Sequence, residues 1–102
     1  MKYEYQHTVP FEAYITNLGK YIEGELVGEW VKFPTSPEIL QQVFLRIGIG
    51  EQDCFGNVYE EIFISDYDIY VPELKASILG EYVNLDVLNT FAKRIEALKE
   101  ED

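Results

Sequence analysis

The chain has 102 residues, 47% of them apolar and 15% aromatic, enough for a packed core in one compact domain, or one domain with part of a second; this excludes a disordered acidic chain. Nineteen acids against eight bases give a formal net charge of −11. That excess opposes compaction, disfavours direct binding to nucleic acid, and suits a partner with a basic surface.

In chain order, residues 1–10 read as a polar, aromatic lead-in that contains His7 and ends at Pro10. Phe11–Asn17 alternates Phe11, Ala13 and Ile15 against Glu12, Tyr14 and Thr16, which predicts a first strand. Leu18–Glu25, with two glycines and three charges, predicts a turn or hairpin loop into a second, antiparallel strand over Leu26–Phe33. Gly28 within that strand suggests a bulge or a close backbone approach, and Trp30 is expected in the core. Ser36 and Pro37 form a helix start; Ile39, Leu40, Val43, Phe44 and Ile47 follow on one face, and Gly48 is a natural stop. After a loop over Gly48–Asn57, Val58–Asp66 predicts a third strand, with Ile62 and Ile64 on one face and Glu61 and Phe63 on the other. A short helix is expected over Leu74–Leu79. Asn84 then caps a last helix with Leu85, Leu88, Phe91, Ala92, Ile95 and Leu98 as its stripe. The order β-β-α-β followed by two helices predicts an α+β fold: a small antiparallel sheet with one packed helix, then C-terminal helices.

Cys54 is the only cysteine, so no internal disulfide forms, as suits a reducing compartment. No apolar run approaches the roughly 20 residues of a membrane span, and the first residues lack a signal-peptide pattern. A cytoplasmic location without membrane contact is expected.

The acids are unevenly placed. Residues 1–50 hold six acids and four bases, whereas residues 51–102 hold thirteen acids and four bases. No Lys or Arg occurs between Arg46 and Lys75, a stretch containing Glu51, Asp53, Glu60, Glu61, Asp66, Asp68 and Glu73. These acids are threaded among Val58, Ile62, Phe63, Ile64 and Tyr67 rather than gathered in a tail. Carboxylates held on a folded frame present charge at fixed spacing, so the seven are the candidate partner-binding residues. A merely solvated face would have the same composition.

Catalytic chemistries fare poorly. Asp66 and Asp68 share a strand face and so could approach one divalent ion, but no third ligand is evident nearby. Glu60 and Glu61 point apart in a regular strand and make a poor acid–base pair. His7 lacks the rigid surroundings that a catalytic base needs. Cys54 lies among acids, the opposite of the electropositive setting that activates a thiolate. Gly48-Ile49-Gly50 lacks the remainder of a phosphate loop, and one His with one Cys makes no zinc site. No catalytic residue, metal or cofactor is expected. The eight tyrosines read mainly as amphipathic packing residues, some of them candidate anchors for a protein interface.

Three stretches carry a family resemblance. Phe11-Glu12-Ala13-Tyr14-Ile15-Thr16-Asn17-Leu18-Gly19-Lys20-Tyr21, then Glu23-Gly24-Glu25-Leu26-Val27-Gly28-Glu29-Trp30 and Phe33-Pro34, closely resemble the opening of the ArdA antirestriction family. Tyr59-Glu60-Glu61, Phe63-Ile64 and Asp66-Tyr67 look like its strand that ends in an acidic segment, with Asp68 where Glu is common. Leu79-Gly80-Glu81-Tyr82 through Leu88-Asn89 is similar to the start of its second, helical domain. The resemblance implies an α+β first domain over residues 1–72 and the beginning of a helical one over 73–102. It also implies a non-enzymatic, acidic mimic of bent duplex DNA, carried by mobile elements and phages, that occupies the DNA groove of type I restriction–modification enzymes at their methyltransferase core. Family members are usually longer and dimeric; a shortened form or a natural short relative would both fit the chain, and a homodimer stays open. The alternatives are an adaptor that binds protein through its aromatics and an inhibitor of another DNA-binding defence enzyme.

Overall fold

The computed structural model describes residues 9–71 and 84–100, with side chains to residue 97. The elements described are β1 (Phe11–Asn17), α1 (Leu18–Ile22), β2 (Gly28–Phe33), α2 (Pro37–Arg46), β3 (Ile62–Ile69) and α3 (Leu85–Glu100). The expected lead-in with His7, the helix over Leu74–Leu79, the boundary after residue 72 and Glu73 lie outside the described residues.

The three strands form one antiparallel sheet in the order β2-β1-β3, so the first strand is central. Its alternation decides the layers. Phe11, Ala13 and Ile15 are fully buried on one face, against Phe33 and Val31 from β2 and Ile64 from β3. Val43 and Ile47 from α2 and Leu88 and Ala92 from α3 close the same core. The Phe11 and Phe33 rings stack at 5.6 Å between centroids. Each large side chain buried there contributes about 1.5–3 kcal/mol. The fold is thus α+β as expected, with α3 sharing the core beside the single helix anticipated.

Helix α2 begins and ends where its sequence dictates. The Ser36 hydroxyl accepts the Ile39 amide at 3.2 Å and Pro37 opens the first turn. At the other end, Gly48 takes a left-handed φ of +89°. The Gly48 amide donates to Leu45 and the Ile49 amide to Phe44, which closes the last turn in the Schellman pattern. Ile39, expected on the buried face, is half exposed instead. In α3 the Asn84 carboxamide oxygen accepts the Asp86 amide at 2.7 Å, as a cap should.

Several expectations are corrected. Leu18–Glu25 is not simply a loop, because α1 forms at its start. The Asn17 carboxamide oxygen caps it by accepting the Lys20 amide at 3.1 Å, outweighing the helix-weakening Gly19. β2 starts at Gly28 rather than Leu26: the ladder ends with the Asn17 amide donating to the Val27 carbonyl at 2.9 Å, because Asn17 ends β1 to cap α1. Gly28 does mark a close approach: a Cβ there would lie 2.5 Å from the Ile15 carbonyl oxygen. Trp30 is not in the core; it is 42% exposed on the opposite sheet face, edge-on to Tyr14. β3 runs over Ile62–Ile69 instead of Val58–Asp66. The residues before it fold back on the preceding loop, where Tyr59 exchanges backbone hydrogen bonds with Gly50 and Glu51 and Val58 bridges Gln52.

One irregularity in β3 sets the surface. Ile15 pairs with Ile64 but Tyr14 pairs with Asp66, which leaves Ser65 as an extra residue. Residues 62, 64, 66 and 68 would share one face of a regular strand. The bulge reverses the phase, so Ile64 points into the core while Asp66 and Asp68 join Tyr14 and Glu12 on the outer face. Ser65 is held by an oxygen–oxygen hydrogen bond of 2.8 Å with the buried Thr16 hydroxyl.

Candidate functional site

The outer face of the sheet carries the first group of carboxylates. Lys32, Glu12 and Asp68 form one row across β2, β1 and β3, and Trp30, Tyr14 and Asp66 form the next. Asp66 and Asp68 are exposed and Glu12 is half-buried. Like charges directly opposite across strands destabilise a sheet, yet Glu12 faces Asp68. The Tyr70 hydroxyl lies between them, 2.6 Å from Glu12 Oε2 and 3.0 Å from Asp68 Oδ2. Its backbone amide donates to the Pro10 carbonyl at 2.9 Å, which fixes the ring at the end of the strand. Burial, followed by the two carboxylates, pushes the Tyr70 phenol well above its ordinary pKa. Burial raises Tyr67, on the core face of the same strand, to about 12.

The second group surrounds a groove of about 390 Å³ between α1 and the segment leading into β3. Glu23, Asp53, Glu60 and Glu61 line it together with Leu18, Ile22 and Val58. The Leu18 amide donates to the Glu61 carbonyl at 2.9 Å, tying the two walls at one end. The Tyr59 hydroxyl ties them at the other by donating to the Glu23 carboxylate, at 2.8 and 2.9 Å from its oxygens. That bond raises the Tyr59 phenol to about 12. Beneath, Asn17 joins three elements: its carboxamide caps α1 and donates to the Ile47 carbonyl at 3.0 Å, all with the side chain fully buried.

The acids singled out by sequence therefore fall into different settings. Asp66 and Asp68 come together on the sheet, and Glu60 and Glu61 on the groove. Asp53 also reaches the groove, but its carboxylate accepts the Phe55 and Asn57 amides at 2.8 and 2.9 Å and shapes the turn. The Asn57 amide, with the other turn donors, holds its pKa below the usual carboxylate value. Glu51 faces the Lys20 ammonium at 3.8 Å, and that ammonium also sits over the Tyr59 ring. Sequence reasoning missed Glu12 and Glu23, which belong to the acid-poor half of the chain. The alternation of β1 placed Glu12 opposite the core face, and that was the available signal. Glu29 lies apart, in a bidentate pair with Arg46 at 2.6 and 2.9 Å that lowers the Glu29 pKa.

Arranged this way, the surface can attract cations at two places on a rigid frame. Among the described residues, no group of three or more His, Cys, Asp or Glu side chains is placed to hold a metal ion. Among them, too, no helix is long and apolar enough to cross a membrane. Cys54 is exposed in the turn that Asp53 shapes.

Comparison with known proteins gives one family. Residues 13–102 match the family described as antirestriction protein (ArdA), so the match takes in both carboxylate groups except Glu12. A comparison with curated proteins gives no match.

Proposed function

Starting from the fact that the chain belongs to the ArdA antirestriction family, we propose that it inhibits type I restriction–modification enzymes by standing in for DNA in their binding groove. The observation that carries this reading is the bulged strand that turns Asp66 and Asp68 outward beside Glu12. Alternate strand residues repeat at about 6.8 Å, twice the axial rise of about 3.4 Å between phosphates on one DNA strand. Carboxylates so spaced meet the lysines and arginines with which an enzyme grips phosphates. The acids are set on hydrogen-bonded backbone, so little ordering cost is added on association. Nothing in this action requires a bond to be made or broken, and the chain acts as an inhibitor rather than a catalyst. The partner is the methyltransferase core, where DNA is read.

Plating unmodified phage on a restricting host tests the reading. Efficiency rises when the chain is expressed, and D66N with D68N lowers the gain while E38Q, on the exposed first turn of α2, leaves it intact. Equal protection by all three proteins would overturn it. A second reading, an aromatic protein adaptor, draws on the exposed Trp30 beside Tyr14. W30A would then abolish partner binding while the aspartate changes did not.

A further inference from the structure

The groove between α1 and the segment before β3 differs in kind from the sheet face. Its rim is acidic, with Glu23, Glu60 and Glu61 from its two walls and no Lys or Arg among its described lining residues; the Lys20 ammonium lies nearby, over the Tyr59 ring. Its apolar side chains are left in water: Ile22 is 75% exposed and Val58 44%. α1 buries none of its own residues, so Ile22 contributes nothing to the core. Exposed apolar side chains gathered with Leu18 in one recess, rather than scattered singly, suit a surface that receives another side chain. Charge and shape together select the occupant. Leu18, Ile22 and Val58 suit a hydrocarbon stem, and the carboxylates at the rim suit a cationic head held at the end of it.

We propose that this groove is a docking site for an arginine- and leucine-bearing segment of a protein partner, the arginine head meeting Glu23, Glu60 and Glu61 and the apolar neighbour resting on Ile22 and Val58. This deepens the inhibitory reading above, for it assigns part of the affinity to a contact that DNA does not make. The contact through Ile22 and Val58 survives salt that screens the exposed sheet-face aspartates. The occupant is a protein segment, since a nucleic acid would meet carboxylates with phosphates.

The test uses the isotope-labelled chain and a short peptide of alternating Arg and Leu, with a Gln-for-Arg peptide as control. Amide shifts of α1 and residues 53–61 on adding the Arg–Leu peptide support the proposal, and so does a roughly tenfold loss of affinity in E60Q with E61Q. A comparable loss in I22S supports the apolar half. The same spectra report whether each variant stays folded; the residues changed are exposed. Shifts confined to β1 and β3, no binding, equal binding of the Gln peptide, or unchanged affinity in folded variants would overturn it. A chain that takes the peptide in the groove but fails to inhibit a restriction enzyme overturns the functional reading alone. The reverse outcome overturns the groove alone.

Discussion

Tyr70 lets two carboxylates face each other across a strand pair. Replacing it with Phe removes the shared hydroxyl and leaves Glu12 and Asp68 opposed. Y70F is expected to lower stability by about 1–2 kcal/mol in urea unfolding, the range for a hydrogen bond to a charged group at partial exposure. Part of that loss should vanish at high salt, because the like-charge term is screened. The phenols also set a pH dependence. Tyr59 and Tyr67 are raised to about 12 from 10, and Tyr70 is raised as well. The fold favours their neutral form, so their contribution is complete below pH 10 and is lost as pH rises towards and through about 12. The denaturation midpoint should hold up to about pH 10 and decline above it, in step with tyrosinate absorbance. Y67F should blunt the decline. A midpoint indifferent to alkali would count against these hydrogen-bonded and buried phenols.

The elements depend on a few side chains that cross between them. Asn17 ends β1, caps α1 and holds the last carbonyl of the α2 cap, all from a buried position. N17A should cost about 2–3 kcal/mol by unfolding, since both a cap and a buried carbonyl partner are lost. D66N with D68N, on the exposed face, should leave the same transition within about 0.5 kcal/mol, because the Tyr70 hydroxyl keeps Glu12 as its acceptor at 2.6 Å and the like charge opposite Glu12 is removed. The legible parts of the fold were those with local causes. β1 was readable from its alternation, α2 from Ser36, Pro37 and Gly48, and α3 from Asn84 and its stripe. α1 was hidden because its cap, Asn17, reads equally well as the end of a strand. The start of β3 was misplaced because Val58 and Tyr59 are strong strand formers that pair instead with residues 50–52. The sheet acids were half legible: Asp66 and Asp68 could be singled out by their setting, but Glu12 joins them only through a pairing more than fifty residues away. Glu23 meets Tyr59 across a gap of 36 residues.

For the whole molecule, what matters is where its charge is left uncompensated. Arg46 is engaged by Glu29 and Lys20 lies close to Glu51, while Asp66 and Asp68 stand exposed on the opposite sheet face. Binding to a basic partner should therefore weaken steeply with added salt, as expected when charges act across a Debye length of about 10 Å at 0.1 M. Titration calorimetry at rising ionic strength measures this. The E60Q and E61Q variant should show a shallower dependence than the parent, and identical slopes would argue that those glutamates face away from the partner. The bulge at Ser65 adds a constraint of another sort, one of parity. Which carboxylates reach the surface depends on whether Ser65 stays outside the ladder, not only on which residues are present. A point mutation alters one charge, and loss of Ser65 itself would leave a regular ladder with Asp66 still opposite Tyr14 and both aspartates outward; closing the bulge with Ser65 retained, so that Ser65 stands opposite Tyr14, would turn both inward against the core. The surface thus withstands the loss of its extra residue but not a slip of the ladder by one, and a chain lacking Ser65 is expected to keep its sheet-face charge where it is.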